Sequence, residues 1–147
     1  QDMKRILLLL VGSLLLAACQ GIGGNETRLY EALGERDGIE AITETMLYRI
    51  VEDERLAEPF RGIDVADFHQ QFSDQICAIS NGPCTYTGRS MREAHEGMDI
   101  SQTQFNAVVE HLVRAMEENN VGTAAQNRLL ARLVPMHDEI TGTGSGD

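Results

Sequence analysis

The stretch Tyr86-Thr87-Gly88-Arg89-Ser90-Met91-Arg92-Glu93-Ala94-His95-Glu96-Gly97-Met98-Asp99-Ile100 decides how this chain is read. Ser90 opens a short helical segment, and Gly97 ends it just past the histidine. Met91, Ala94 and Met98 stand at helical spacings from His95, so the imidazole shares an apolar face. A short helix that stops at a glycine lets that side chain project from a corner. A lone histidine is more often a surface or core side chain than a ligand. Its neighbours along the chain therefore decide between the two roles.

Working outward, residues 84–89 have little periodicity and read as an irregular linker, preceded by the breaker Asn81-Gly82-Pro83. Asp64 caps a helix over 65–80, with Phe68, Phe72, Ile76 and Ile79 on one face. Beyond the histidine, Ser101-Gln102-Thr103-Gln104 is a capping box. The helix it opens carries the stripe Phe105, Val108, Val109, Leu112, Val113, Met116. Toward the N-terminus, a short helix over 27–33 stops at Gly34. Asp37 caps the next one, which runs to about residue 52 with Ile39, Ile42, Met46 and Ile50 inward and Leu47 and Val51 beside them. Residues 53–60 contain Pro59 and read as a corner. After the turn Asn119-Asn120-Val121-Gly122, a second capping box, Thr123-Ala124-Ala125-Gln126, opens a last helix presenting Leu129, Leu130, Leu133, Val134 and Ile140. Pro135 should kink it. No stretch alternates with period two, so the fold class is all-α, with about four substantial helices and two short ones.

A net charge of -11 excludes nucleic acid and anionic membrane surfaces as partners, since both need lysine and arginine clusters. Met3-Lys4-Arg5 followed by the apolar run 6–18 is too short and wrongly flanked to span a bilayer, and reads as a secretory signal over 1–18. Its end, Leu16-Ala17-Ala18-Cys19, resembles the lipobox of bacterial lipoproteins. That resemblance implies cleavage before Cys19 and lipidation of it. A Gly-rich flexible tether follows over 19–26, the folded domain spans 27–141, and 142–147 is a frayed, disordered tail. Gln20 resembles an outer-membrane sorting signal, which places the chain on the periplasmic side, lipid-anchored at the outer membrane. The compartment is then oxidising. Cys77 and Cys84 are either a disulfide or two buried free thiols.

The apolar faces of the 65–80 and 101–119 helices are available to wall a flat cavity beside His95. A haem iron held by one histidine needs a neutral imidazole and apolar contact over the porphyrin. From Leu29 to about Ile140 the chain resembles the truncated haemoglobins, group I of them best. The pieces that carry the resemblance are Leu29-Tyr30-Glu31-Ala32-Leu33-Gly34, Asp53-Glu54-Arg55-Leu56 with Phe60, Asn81-Gly82-Pro83 with Tyr86-Thr87-Gly88, and Met91-Arg92-Glu93-Ala94-His95 with Gly97 and Ile100. The resemblance implies a two-over-two helical sandwich around haem b, with His95 as the proximal iron ligand. Phe60 matches a phenylalanine packed on the haem at a helix corner. Met91, Ala94, Ile100, Phe105 and Val108 match haem-contacting positions.

The distal side departs from the family. Its usual tyrosine falls on Leu47, directly after Met46, and Tyr48 is one residue later, about 100° around the helix. Its distal glutamine position falls on Phe72 and the neighbouring distal site on Phe68. A shift of one residue would bring Tyr48, His69 or Gln71 into play, and His69 could serve as a sixth ligand. As aligned the distal wall is apolar, so bound dioxygen would lack donors for its partial negative charge. Fast release, or a preference for NO or CO, follows as an expectation. The family's first double glycine is reduced to Gly34-Glu35. His111 beside Glu110 should be solvated and His137 partly exposed.

The leading reading is a haem globin that reversibly binds a diatomic gas at the cell envelope. NO dioxygenase-like chemistry with an unidentified reductase is a variant of it, and the default is a non-enzyme. The competing readings are a copper-binding lipoprotein using Met91, His95 and Met98, whose soft donors suit Cu(I), and a haem-free structural lipoprotein.

Overall fold

A computed structural model of the chain describes residues 28–143. The expected signal, the tether with Cys19, and all but the start of the C-terminal tail lie outside them. Helix α1 (Leu29–Ala32) is followed by α2 (Glu35–Val51), a 3-10 turn (Glu54–Leu56), α3 (Val65–Ile79), α4 (Met91–His95), α5 (Gln102–Glu118), α6 (Thr123–Leu133), a second 3-10 turn (Val134–Met136) and α7 (His137–Thr141). No strand occurs among the described residues. Helix α2 is the hub and packs on both α3 and α5, while the short α4 and α7 pack on each other. The architecture is the two-over-two helical sandwich.

The periodic residues explain the packing. Ile39, Ile42, Met46, Leu47 and Ile50 recur at helical spacing along α2, and all are buried. Ile76 meets them from α3, Leu112 and Met116 from α5, and Leu129 from α6 in one core cluster. Val51 lies outside this face, exposed on the last turn of α2. Between α2 and α3, Ser73 donates to Thr43 at 3.0 Å, and Thr43 donates to the Ile39 carbonyl, so two buried hydroxyls satisfy each other.

The caps show where local reading succeeds and where it fails. Asp64 accepts from the Asp67 amide, and Ser101 and Gln104 close a reciprocal capping box. Asp37 is not a cap, because α2 begins at Glu35 behind Gly34, whose φ is 85°. Glu35 itself takes φ 58°, a left-handed value costing a residue with a side chain about 1 kcal/mol. Thr123 is likewise inside α6, with Gly122 at the cap. Gln126 turns its amide to the Val121 carbonyl instead of completing a box. Pro135 does more than kink the last helix: it sits in the 3-10 turn that separates α6 from α7.

Cys77 on α3 and Cys84 in the linker are joined by a disulfide, with their Cα atoms 5.8 Å apart. The crosslink ties the linker toward α4 to the core end of α3, since Cys77 is fully buried. Closing so short a loop should contribute about 2–3 kcal/mol. Cys84→Ser is therefore expected to lower the unfolding free energy by about that amount, and thiol reductant should destabilise the parent but not the variant in urea titrations.

Candidate functional site

Helix α4 presents His95 as its last residue. Ser90 accepts from the Glu93 amide while the Glu93 carboxylate accepts from the Ser90 amide at 3.0 Å, so a capping box fixes the start of this one-turn helix. The Ser90 hydroxyl first, and then the Ser90 amide, donate to the Glu93 carboxyl and hold it below the usual carboxylate range. Glu96 caps the other end, and Gly97 at φ 74° redirects the chain. The His95 ring is half-buried, and its Nδ1 lies 2.8 Å from the Met91 carbonyl oxygen. A carbonyl only accepts, so Nδ1 carries the hydrogen. Nε2 is then left with its lone pair, which is the arrangement a metal-binding imidazole requires.

The apolar candidates lie on separate elements: Phe60 in the corner before α3, Phe68 and Phe72 on α3, Met91 and Ala94 on α4, Ile100 just before α5, and Phe105 and Val108 on α5. All of them are half-buried, in contrast to the fully buried stripe of α2. Such side chains offer apolar surface that a flat hydrophobic group can still cover. Phe60 meets Phe68 edge-on at 5.5 Å, and Phe68 stacks on Phe72 at 5.6 Å. Phe105 meets the His137 ring edge-on at 4.7 Å. Two open recesses elsewhere, of about 310 and 300 Å³, are lined by Arg28, Glu31 and Glu35 with Asn81, and by Arg49, Asp53 and Arg55 with His111. Both rims carry several charged side chains, and neither recess includes His95 or a phenylalanine.

The distal candidates divide sharply. Leu47 is buried and apolar. Tyr48 is 67% exposed on the far side of α2, so its phenol does not face the interior. His69 is half-buried, with Nε2 3.1 Å from the Glu40 carbonyl oxygen, and that contact directs the ring at α2. Gln71 lies against Gly88 and Tyr86: a β-carbon at Gly88 would meet its Oε1 at 2.7 Å. Tyr86 in turn donates to the Arg89 carbonyl at 2.7 Å. The copper set does not assemble on one helical face. The helix ends at His95, Met98 is exposed beyond Gly97, and the Met91 sulfur accepts from the Gln75 amide.

Two features escaped the sequence reading. Gln75 is the first, a buried amide on the Phe68–Phe72 face of α3; the signal was a polar residue on an apolar stripe. The second involves His111, which is not solvated. Its Nε2 donates to Asp53 Oδ2 at 2.7 Å, and both side chains are largely buried. Asp53 also accepts from the Arg55 backbone and guanidinium, and Arg55 reaches Glu110 on α5 at 3.2 Å. This cluster staples the corner after α2 to α5. Arg55 first, and then His111, hold the Asp53 carboxyl well below the usual carboxylate range, against the opposing effect of burial. A depressed carboxylate contributes stability that is present above the unfolded value, near pH 3.9, and is lost as pH falls through the folded value. The difference in urea midpoint between parent and Asp53→Asn is thus expected to hold steady from about pH 7 to 5 and to shrink below about pH 4.

The architecture is that of a globin. The bacterial-like globin family model matches residues 28–142, and the chain belongs to that family. Within it the chain is similar to the group 1 truncated hemoglobin of a Nostoc species, 31% identical over 112 residues that cover 76% of this chain and 95% of the relative. The structure is similar to the truncated hemoglobin of Tetrahymena pyriformis in its Fe(III) form, with TM-score 0.73, 27% identity and coverage of 76% and 96% of the two chains. It is equally similar to a 2/2 hemoglobin from a Synechococcus species, solved in the cyanomet state with covalently attached heme, with TM-score 0.73, 26% identity and coverage of 78% and 98%. The imidazole with Nε2 available and the half-buried apolar side chains fit the family's cofactor, haem b, and a gas such as dioxygen is the family's ligand. The haem-free structural reading falls with that assignment.

Proposed function

We propose that this chain binds a diatomic gas reversibly on a haem whose iron is held by His95. The observation that carries the reading is the Nδ1 contact to the Met91 carbonyl, which fixes the ring and its tautomer with Nε2 available. Haem supplies the iron site at which the gas binds. The protein's part is to hold and shield it. Met91, Ala94 and Ile100 contact the proximal side, Phe105 and Val108 line the wall of α5, and Phe60, Phe68 and Phe72 form an aromatic wall that keeps bulk water from the iron. A separate reductase is the partner that would hold the iron ferrous. The test is titration of the apoprotein with haemin followed by reduction under CO. The expected result is a stoichiometric Soret band that shifts with CO. A colourless protein that takes up copper but not haemin would overturn the reading.

The same proposal places the globin at the bacterial envelope, on the periplasmic side of the outer membrane, through a lipid on Cys19. Support comes from the basic start, the apolar run and Leu16-Ala17-Ala18-Cys19. Cys19→Ala should move the protein from the membrane fraction to the soluble fraction. An unchanged distribution would refute the anchor.

A further inference from the structure

The methionines among the described residues divide by what surrounds the sulfur. Met46 and Met116 are fully buried, and Met98 is 40% exposed beyond Gly97. Met91 and Met136 are half-buried, and both meet the same side chain. Gln75 is only 8% exposed, and its Nε2 donates to the Met91 sulfur at 3.3 Å and to the Met136 sulfur at 3.7 Å. That one amide joins α3 to the start of α4 and to the 3-10 turn before α7. Thioethers are weak acceptors. A buried amide nitrogen that donates to thioethers is under-satisfied, and burial makes that costly.

Oxidation of a methionine supplies the acceptor that is missing. A sulfur lone pair attacks hydrogen peroxide, the S–O bond forms as the O–O bond breaks, and the departing hydroxide takes the remaining proton and leaves as water. Sulfur is oxidised to the sulfoxide and the peroxide is reduced. In most cores the new polar group is disruptive, because nothing there donates to it. Here a buried donor already faces both sulfurs. We propose that Met91 and Met136 form a methionine-oxidation site whose sulfoxide oxygen is bonded by the Gln75 amide, with hydrogen peroxide as the oxidant and methionine sulfoxide reductases to restore it. The amide also sets the stereochemistry. A sulfoxide sulfur is chiral, and the N–H stabilises the negative charge that develops on the oxygen during transfer, so delivery is favoured on the lone pair that faces it. The effect reaches His95. Helix α4 has no fully buried residue to anchor it, and the Met91 carbonyl holds His95 Nδ1, so a stronger bond from α3 to Met91 fastens the helix that ends at the imidazole.

The site does not depend on iron ligation, so it is tested on the full chain before haem is added. The parent and Gln75→Leu, which removes the donor, are exposed to dilute hydrogen peroxide and digested. The peptides are treated with one or the other class of methionine sulfoxide reductase, each of which repairs a single epimer, and then weighed by mass spectrometry. Met98, exposed in the same sample, is the reference for unguided oxidation. The expected result in the parent is an excess of one epimer of about fivefold or more at Met91 and Met136, against comparable amounts of both at Met98. In Gln75→Leu that excess should fall to the Met98 ratio. If the variant does not fold, the contrast between Met98 and the pair in the parent decides alone. Comparable amounts of both epimers at the pair in the parent would overturn the proposal. So would an excess that the variant keeps, or a pair that carries no sulfoxide once Met98 is fully converted.

Discussion

Under the proposed ligation, His95→Gly should strip the haem of the bond between His95 and iron. Loss of an outer partner of a metal ligand already costs about 10–100-fold in affinity. Loss of the ligand itself is expected to weaken haem retention by more than about 100-fold, read as the rate of haem transfer to an apoglobin acceptor. Imidazole added to the buffer should restore a Soret band close to the parent's, because the cavity left by the ring admits it. A surface role for His95 would leave both measurements unmoved. The helix itself should survive the substitution, since its start is fixed by the Ser90–Glu93 box and not by the histidine. Circular dichroism of the apoprotein is then expected to match the parent.

The largest stability effect is expected at Gly38. Gly38 sits in the first turns of α2, where a β-carbon would overlap the carbonyl oxygen of Leu33 and stand 3.1 Å from its carbonyl carbon. Both are backbone atoms, so no side-chain rotation relieves the overlap. Leu33 is itself buried at the join of α1 and α2, and Gly34 turns the chain there at φ 85°. Gly38→Ala must therefore push α1 away from α2. Overpacking usually costs about 1–3 kcal/mol, and a backbone clash belongs at or beyond the top of that range. The expected outcome of urea unfolding is a fall of about 3 kcal/mol or more, despite the better helix propensity of alanine. Gly122→Ala is the matching control, because a β-carbon there meets nothing and its φ is ordinary.

Much of the fold was legible because it is written in short-range patterns. The α2 stripe, the Asp64 cap, the Ser101–Gln104 box and the breaker at Asn81-Gly82-Pro83 each need only neighbours within a few residues. The short Ser90-capped helix that ends at His95 was legible for the same reason. Misreadings occur where a local motif competes with tertiary geometry. Thr123-Ala124-Ala125-Gln126 has the form of a capping box, yet the helix starts one residue earlier and Gln126 is drawn to Val121. Tyr48 is adjacent to the buried Leu47, but one residue of helix turns it to solvent. The Asp53–His111 contact spans 58 residues, and no spacing rule announces it. Gln75 interrupts an apolar stripe, and only the three-dimensional contacts with Met91 and Met136 separate it from a surface amide.

The proposed function requires a bond between iron and His95. Resonance Raman of the ferrous, ligand-free holoprotein gives that bond directly, as the iron–histidine stretch. The expected result is a single such band that shifts when histidine is isotopically labelled and that vanishes in His95→Gly. A band that persists in the variant, or one that ignores the label, would assign the iron to another residue and contradict the reading of the Met91–His95 helix.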